Sequence, residues 1–460
     1  MRRNINMLNG PLMPSVIRFS IPVILTIYLQ NLFNTADMVV TGQFCGSLEV
    51  AGVSATSSLI NMFVGLVTGL SLGAGLTVAR AMGTRQTETI SNAVHTAIPV
   101  ALIGGLILSV AGVVFAPALL EMMHTPKDVL PLASVYIQIY FSGMLFSSVY
   151  NFGTAILRAI GDTKTPLYFL IIAGVLNIIL NVIFVAAFHM DVAGVALATV
   201  ISQAVSAVLV IIMLIHRKDA CKFSFKQMRI RRNALVSILQ IGLPAGLQSS
   251  LFGMSHVITS SAINSFDSAA ILSGNGACQS IEVFTDSISS GFSQTISNFV
   301  AQNLGARQYN RIKKTYAVCM GASIAFVSVA SAVICLFGKQ FLGFYITDSA
   351  EAISFGLVRM RYLLYPIFLM ATMTVSTGGI LGLGYSLTSS MINLTTACGF
   401  RVVWVYTIFQ IPEYHTLGCL YMMYPASWIL TTAVAATLFF ILLKRKTQTD
   451  IPQQTAVSQQ

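Results

Sequence analysis

The chain is 460 residues long, 55% hydrophobic and only 9% charged, with a mean hydropathy of +0.78. Soluble domains carry roughly 25% charged residues, so this composition excludes a water-soluble globular protein and indicates a polytopic membrane protein. The net charge of +11 would suit nucleic acid in a soluble chain, but here the basic residues report membrane orientation.

A spanning helix needs about 20 mostly apolar residues, so charge-free runs mark the spans. In chain order they are 19–36, 50–79, 89–120, 129–157, 165–190, 192–216 and 233–266, then 287–306, 315–338, 362–400 and 414–443. The run 362–400 is too long for one helix and is divided at Gly378-Gly379 and Gly382-Leu383-Gly384, its second piece passing Arg401 to about residue 411. The run at 287 extends back to about Ala270 if Glu282 and Asp286 lie within the helix. The expected fold is therefore an all-α integral membrane protein of twelve transmembrane helices.

Lys and Arg in short loops set orientation. A cytoplasmic N-terminus puts Arg2, Arg3, Arg18, Arg80, Arg85, Arg158, Lys164, the basic residues from Arg217 to Arg232, Arg307, Arg311, Lys313, Lys314 and Lys444 to Lys446 inside. Only Lys127, Lys339, Arg359 and Arg361 then fall outside, the last two able to snorkel to the outer interface. Both termini are expected in the cytoplasm, and no cleavable signal peptide is visible. The seven cysteines are scattered without CxxC or metal spacing.

An internal repeat gives the architecture. Ala79-Arg-Ala-Met-Gly83-Thr-Arg85-Gln86 returns as Ala301-Gln-Asn-Leu-Gly305-Ala-Arg307-Gln308, an offset of 222 that also aligns Pro22 with Pro244, Gly52 with Gly274 and Gly69 with Gly291. Gly161 and Gly384 correspond at 223, and Gly194 and Gly418 at 224. Six helices per repeat leave both halves in the same orientation, so the repeats are parallel, an architecture used by alternating-access carriers. The expected division is an N-lobe at 1–215, a basic cytoplasmic linker at 216–234, a C-lobe at 235–446 and a disordered tail at 447–460.

Ionisable groups inside spans are costly and mark pathways or relays. Asp37 lies in the first helix with Asn34 three residues before it on the same face; it suits H⁺ or Na⁺ binding, or else reaches the outer interface. Asn177 and Asn181, four apart on the fifth helix, supply cation-binding oxygens or glue helices together. Glu282 and Asp286, four apart on the eighth, face a wet cavity or pair with a base such as Arg401, whose own expected role is an internal salt bridge. Pro22 and Pro244 interrupt the first helix of each half and are either hinges or static bends. His95 and His256 are lone and expected to pack.

On these residues the chain resembles the multidrug and toxic compound extrusion (MATE) family. The matching pieces are Asn34-Thr-Ala-Asp37-Met-Val-Val-Thr-Gly42, Leu304-Gly305-Ala-Arg307 after Gln302-Asn303, and Leu157-Arg158-Ala-Ile-Gly161-Asp162-Thr-Lys-Thr-Pro166, across about residues 10–445. The resemblance implies a V-shaped pair of six-helix lobes exporting organic cations by antiport with H⁺ or Na⁺. It assigns coupling to Asp37, with Asn177, Asn181 and Thr199 beside it, and makes Asp37, Asn177 and Asn181 the candidate Na⁺ ligands. Pro22 matches a first-helix proline that bends when the Asp is protonated. Relatives carry Asp where this chain has Asn181, which leaves the coupling ion open between H⁺ and Na⁺. A subgroup bears C-lobe acids on the seventh and tenth helices; here the seventh has only His256 and the tenth no acid after Glu351, so coupling is expected in the N-lobe, with Glu282 and Asp286 as additional cavity acids and Arg401 beside them.

The alternative is a lipid-linked oligosaccharide or metabolite carrier of the same fold. No phosphate-binding GxxxxGK[ST] loop occurs, so ATP is not the expected energy source, and no cluster indicates an enzyme or a bound cofactor. The expected partners are organic cations and the lipid bilayer, not nucleic acid, and the protein is expected to act as a monomer in a bacterial plasma membrane.

Overall fold

A computed structural model describes residues 4–347 and 349–457; the side chains of Ser47, residues 253–257 and everything from 449 onward are outside the description. The helices are α1 (Leu12–Phe44), α2 (Ser47–Thr84), α3 (Thr87–Met122), α4 (Leu130–Ser142), α5 (Met144–Ala159), α6 (Lys164–Val182), α7 (Asp191–Ile215) and α8 (Arg232–Asn264). They continue with α9 (Ala269–Gly305), α10 (Tyr309–Leu336), α11 (Gly338–Tyr345), α12 (Ala350–Leu363), α13 (Ile367–Gly382), α14 (Ser386–Ile392), α15 (Phe400–Tyr406) and α16 (Leu417–Val457). The tail anticipated from residue 447 thus lies partly in α16.

Among the described residues, nine helical segments are long and apolar enough to cross a membrane, and two bent pairs raise this to eleven. The repeat equivalent of α2, α9, is long enough at 37 residues to be the twelfth but is less apolar, because it carries Asn275, Glu282, Asn298, Gln302 and Asn303 inward. One bent pair is α4 and α5, turning by 46°; the other is α12 and α13, turning by 49°. The second pair corrects the start expected at residue 362. The chain enters this helix at Ala350, and the charge-free criterion missed it because Arg359 and Arg361 lie inside. The bend precedes Pro366, which disfavours helical geometry in the residue before it.

The repeat is visible in backbone detail. Helices α2 and α9 begin 222 residues apart, as do α3 and α10. Arg85 and Arg307 both adopt the left-handed conformation, with φ of 59° and 57°, at the ends of α2 and α9. Gly161 and Gly384, with φ of 85° and 90°, reverse the chain before α6 and α14; only glycine takes this geometry without a steric penalty. The break expected in the glycine-rich stretch falls at this last glycine. Gly378 and Gly382 remain helical, where α13 packs closely on Ser293 and Ser297 of α9.

Contacts group the chain into two compact units, one of Met1–Asn6 and Leu25–Ser250 and the other of Met7–Ile24 and Leu251–Gln460. In the first, α2 and α8 meet through two glycine pairs, Gly69 and Gly73 against Gly242 and Gly246. Small residues four apart let backbones approach, which supplies the dispersion contact that helices in lipid need. Below them the 216–231 segment folds against α3: Phe223 and Cys221 are fully buried, and His95 accepts a hydrogen bond from the Ser224 backbone N–H at 3.1 Å while stacking on Phe223. Burial pushes the Cys221 thiol up to about 12. His95 is thereby a packing residue, as expected.

A Cβ at Gly69 would run into the Gly246 backbone, and backbone cannot step aside as a side-chain tip can. Gly69→Leu is expected to cost at least about 1–3 kcal/mol from overpacking. It should lower the monodisperse fraction recovered in detergent, whereas Gly104→Leu, where a Cβ meets nothing within 4 Å, should not.

Candidate functional site: a buried carboxylate in one unit and a buried ion pair in the other

In the first unit α1 carries Asp37 inward, only 9% exposed, against α6 and α7. Asn181 Nδ2 donates to Asp37 Oδ1 at 2.5 Å, and Thr199 Oγ1 lies 3.3 Å from Oδ2. Asn181 also reaches Asn177 Oδ1 at 3.3 Å, and Asn177 Nδ2 donates to Thr199 Oγ1 at 3.2 Å. The i,i+4 spacing read from the sequence accordingly places both amides on the face of α6 that meets the acid. A π-helical turn at Ile183–Ala187 follows directly; such turns recur at functional sites because they re-aim the neighbouring side chains.

Two features define this cluster. No Lys or Arg pairs with Asp37 among the described residues, so its charge is met only by an amide and a hydroxyl. The buried Asn181 Oδ1 has no hydrogen-bond partner, leaving an acceptor unused beside a carboxylate. Asn34, anticipated on the same face, is exposed and makes no hydrogen bond to Asp37. The apolar shell beside the cluster comprises Val40, Val53, Tyr136, Val185, Val192, Val195 and Ala196.

The second unit is built differently. Arg359 of α12 grips Glu282 of α9 with both arms of its guanidinium, Nε to Oε1 at 2.8 Å and Nη2 to Oε2 at 2.7 Å. Its third nitrogen donates to Asn275 Oδ1 at 2.6 Å. Cys278 lies 3.4 Å from Glu282, and the rings of Tyr421 and Tyr424 lie 5.4 and 5.6 Å from the guanidinium. Arg359 is only 3% exposed, which overturns its expected place at the outer interface. A bidentate carboxylate repays the desolvation that snorkelling would have avoided. Arg361, two residues on, is exposed.

Arg401 does not form the salt bridge expected of it. Its Nε donates to Ser427 Oγ at 3.2 Å and its guanidinium lies 4.4 Å from the Tyr424 ring centre. No acid pairs with it among the described residues, because Arg359 has taken Glu282. Asp286, one turn along α9, is exposed and likewise unpaired. Asn275 and Tyr424 escaped the sequence reading, and Arg359 was placed at the outer interface although an Arg in a segment rich in apolar residues was the available signal. Pro22 and Pro244 lie inside α1 and α8, which remain helical through them. The His256 side chain lies outside the described residues.

The MatE family model matches this chain twice, over residues 22–183 and 244–407. The chain belongs to the MatE family of membrane transporters. The two matches follow the duplication, beginning 222 residues apart at the repeat-related prolines. The probable multidrug resistance protein YoeA of Bacillus subtilis (strain 168) is 25% identical over 96% of this chain and 97% of its own. The multidrug export protein MepA of Staphylococcus aureus is 24% identical over 74% of this chain and 75% of its own. Among solved structures, a multidrug resistance MATE family transporter in an outward-facing conformation superposes with a TM-score of 0.87 at 21% identity, covering 98% of this chain and 99% of that one. A MOP superfamily transporter from Pyrococcus furiosus, described as having a binding pocket of reverse polarity, gives 0.90 at 19% identity over 97% and 99%.

Removing one member of a buried ion pair strands the other and costs about 3–5 kcal/mol, while replacing both with apolar groups is often neutral. Glu282→Leu alone should therefore lower the thermal midpoint in detergent sharply. The Glu282→Leu/Arg359→Leu double variant should recover most of the loss, giving a positive coupling in a double-mutant cycle.

Proposed function

We propose that the protein exports organic cations across a bacterial plasma membrane by antiport with H⁺ or Na⁺, with Asp37 as the coupling carboxylate. The observation that supports this reading is a buried acid with no basic partner, held by Asn181 and Thr199 and backed by Asn177. The named relatives, a probable multidrug resistance protein and a multidrug export protein, agree with export as the direction of transport.

The chemistry follows from what the cluster lacks. An ionised carboxylate in a span is costly unless a cation or hydrogen bonds stabilise it. Here the hydrogen bonds support the charged form, and a proton or Na⁺ can complete the neutralisation. A proton would sit on Asp37 itself, weakening its hold on the donors from α6 and α7. Na⁺ would need oxygen ligands: both Asp37 oxygens, Asn177 Oδ1, Thr199 Oγ1 and Asn181, whose amide would turn its unpartnered Oδ1 inward. Either ion changes the grip between α1 and α6–α7, and so changes the relative stability of two access states.

Substrate cation meets acid in the second unit at Asp286, the exposed member of the stacked pair, because Glu282 is already neutralised by Arg359. Coupling requires that drug and ion have different affinities for the two states; a ligand that binds both equally moves nothing. Pro22 and Pro244 are the hinge positions proposed for α1 and α8.

The test is ethidium extrusion from energised cells or proteoliposomes under imposed H⁺ and Na⁺ gradients, separately, at matched protein level. Wild type should respond to one gradient, and Asp37→Asn should lose at least about tenfold in rate, equivalent to one charge-assisted hydrogen bond or more. Undiminished gradient-driven export by Asp37→Asn would remove Asp37 from the coupling role.

A further inference from the structure

Internal duplication makes each unit a control for the other. At the offset of 222, Asn275, Glu282 and Asp286 correspond to Val53, Ile60 and Val64. At the offset of 223 that relates Gly161 to Gly384, Arg359 corresponds to Tyr136. Val53, Ile60, Val64 and Tyr136 all belong to apolar clusters of the first unit. The same helix packing is thus achieved with hydrocarbon in one unit and with ions in the other, so the fold itself does not require the ions.

Arg401 extends the contrast. At the offset of 224 that relates Gly194 to Gly418, it corresponds to Asn177. The first unit therefore presents a neutral amide beside an acid at the position where the second presents a permanent cation. A π-helical segment, Asn393–Gly399, ends two residues before Arg401 and sets its direction. Arg401 is 6% exposed, and Ser427 and the Tyr424 ring hold its Nε and its plane. Its two Nη groups make no hydrogen bond among the described residues. The result is a pre-oriented fork of donors with no acceptor.

Arg359 and Glu282 neutralise each other, which leaves Arg401 and Asp286 as the uncompensated charges of this network. Both flank the neutralised pair, Asp286 one turn beyond Glu282 on α9 and Arg401 on the same Tyr424 ring that Arg359 faces, and they form no ion pair with each other among the described residues. Asp286 is exposed on α9. Opposite charges that flank one buried ion pair, stand on different helices and are not paired with each other match a ligand carrying the complementary pair.

We propose that the second unit holds a subsite for zwitterions, in which the Nη fork of Arg401 takes a carboxylate and Asp286 takes an ammonium. Arg suits the carboxylate because its planar fork binds both oxygens. A simple monocation satisfies Asp286 but leaves Arg401 unanswered, so compounds bearing an amine and a carboxylate are preferred over their esters. This inference rests on the export reading and names a substrate class for it.

The experiment compares Nε-dansyl-lysine, a fluorescent zwitterion, with its methyl ester, which keeps the amine and lacks the carboxylate. Binding to purified wild type, Arg401→Gln and Arg401→Lys is read from dansyl fluorescence, with thermal midpoints recorded for each. The expected result is a zwitterion-to-ester affinity ratio that falls at least about tenfold in Arg401→Gln, as for loss of a charge-assisted hydrogen bond, and is partly retained in Arg401→Lys. A merely structural Arg401 would lower both affinities together and leave the ratio unchanged, which would overturn the subsite. Ethidium export by wild type separates the two readings. Export together with an unchanged ratio refutes the zwitterion subsite alone, and absence of both export and dansyl binding refutes both.

Discussion

A carboxylate held away from water must be neutralised, and most of the polar architecture in this protein is a response to that requirement. Two answers occur in one chain. Glu282 is given a permanent counter-ion, Arg359, through two short hydrogen bonds. Asp37 is given only an amide and a hydroxyl. The first arrangement is complete: both charges are satisfied, and a mobile ion has little to gain there. The second is unfinished, since hydrogen bonds from neutral donors offset part of the desolvation cost and leave net charge behind. Only the unfinished site can change its occupancy at modest cost, which is what the coupling role proposed for Asp37 asks of it.

The duplication shows that these answers are separable from the fold. The left-handed residues Arg85 and Arg307 end equivalent helices, the left-handed glycines Gly161 and Gly384 stand before equivalent turns, and bends of 46° and 49° interrupt equivalent spans. Yet the interior between α2 and its neighbours is Val53, Ile60 and Tyr136, whereas around α9 it is Asn275, Glu282 and Arg359. Backbone geometry is set by helix-breaking residues and close glycine contacts, and tolerates either filling. Polarity has been free to diverge while architecture has not.

This separation explains what was legible in the sequence. Spans and repeat offset could be read because each rests on a local pattern, apolar run length or a recurring motif, whereas the Asp37–Asn181–Thr199 group, whose members lie 144 and 162 residues apart, was reached through the family resemblance. Arg359 was misplaced because its partner lies 77 residues away, and no local pattern announces a contact at that distance. Reading charge as a boundary assigned Arg359 to the outer interface, when a buried acid on another helix made the interior the better solvent for it. Asn34 failed in the opposite way. Its spacing put it near the face of Asp37, but a helix face is broad, and the acid found its donors on α6 and α7 instead.

The same logic bears on why a chain with so few charges keeps four of them in one region of α9, α12 and α15. Glu282 and Arg359 cancel; Arg401 and Asp286 do not meet. An isolated guanidinium away from bulk water is expensive, and here it is stacked on Tyr424 and tied by one nitrogen to Ser427 rather than released to swing toward Asp286. Holding the two charges apart forgoes the most direct relief available to either. A packing role would favour closing that gap, as Arg359 and Glu282 have done on the neighbouring turn. Keeping it open is what a site requires if the missing partners are to be supplied by a ligand.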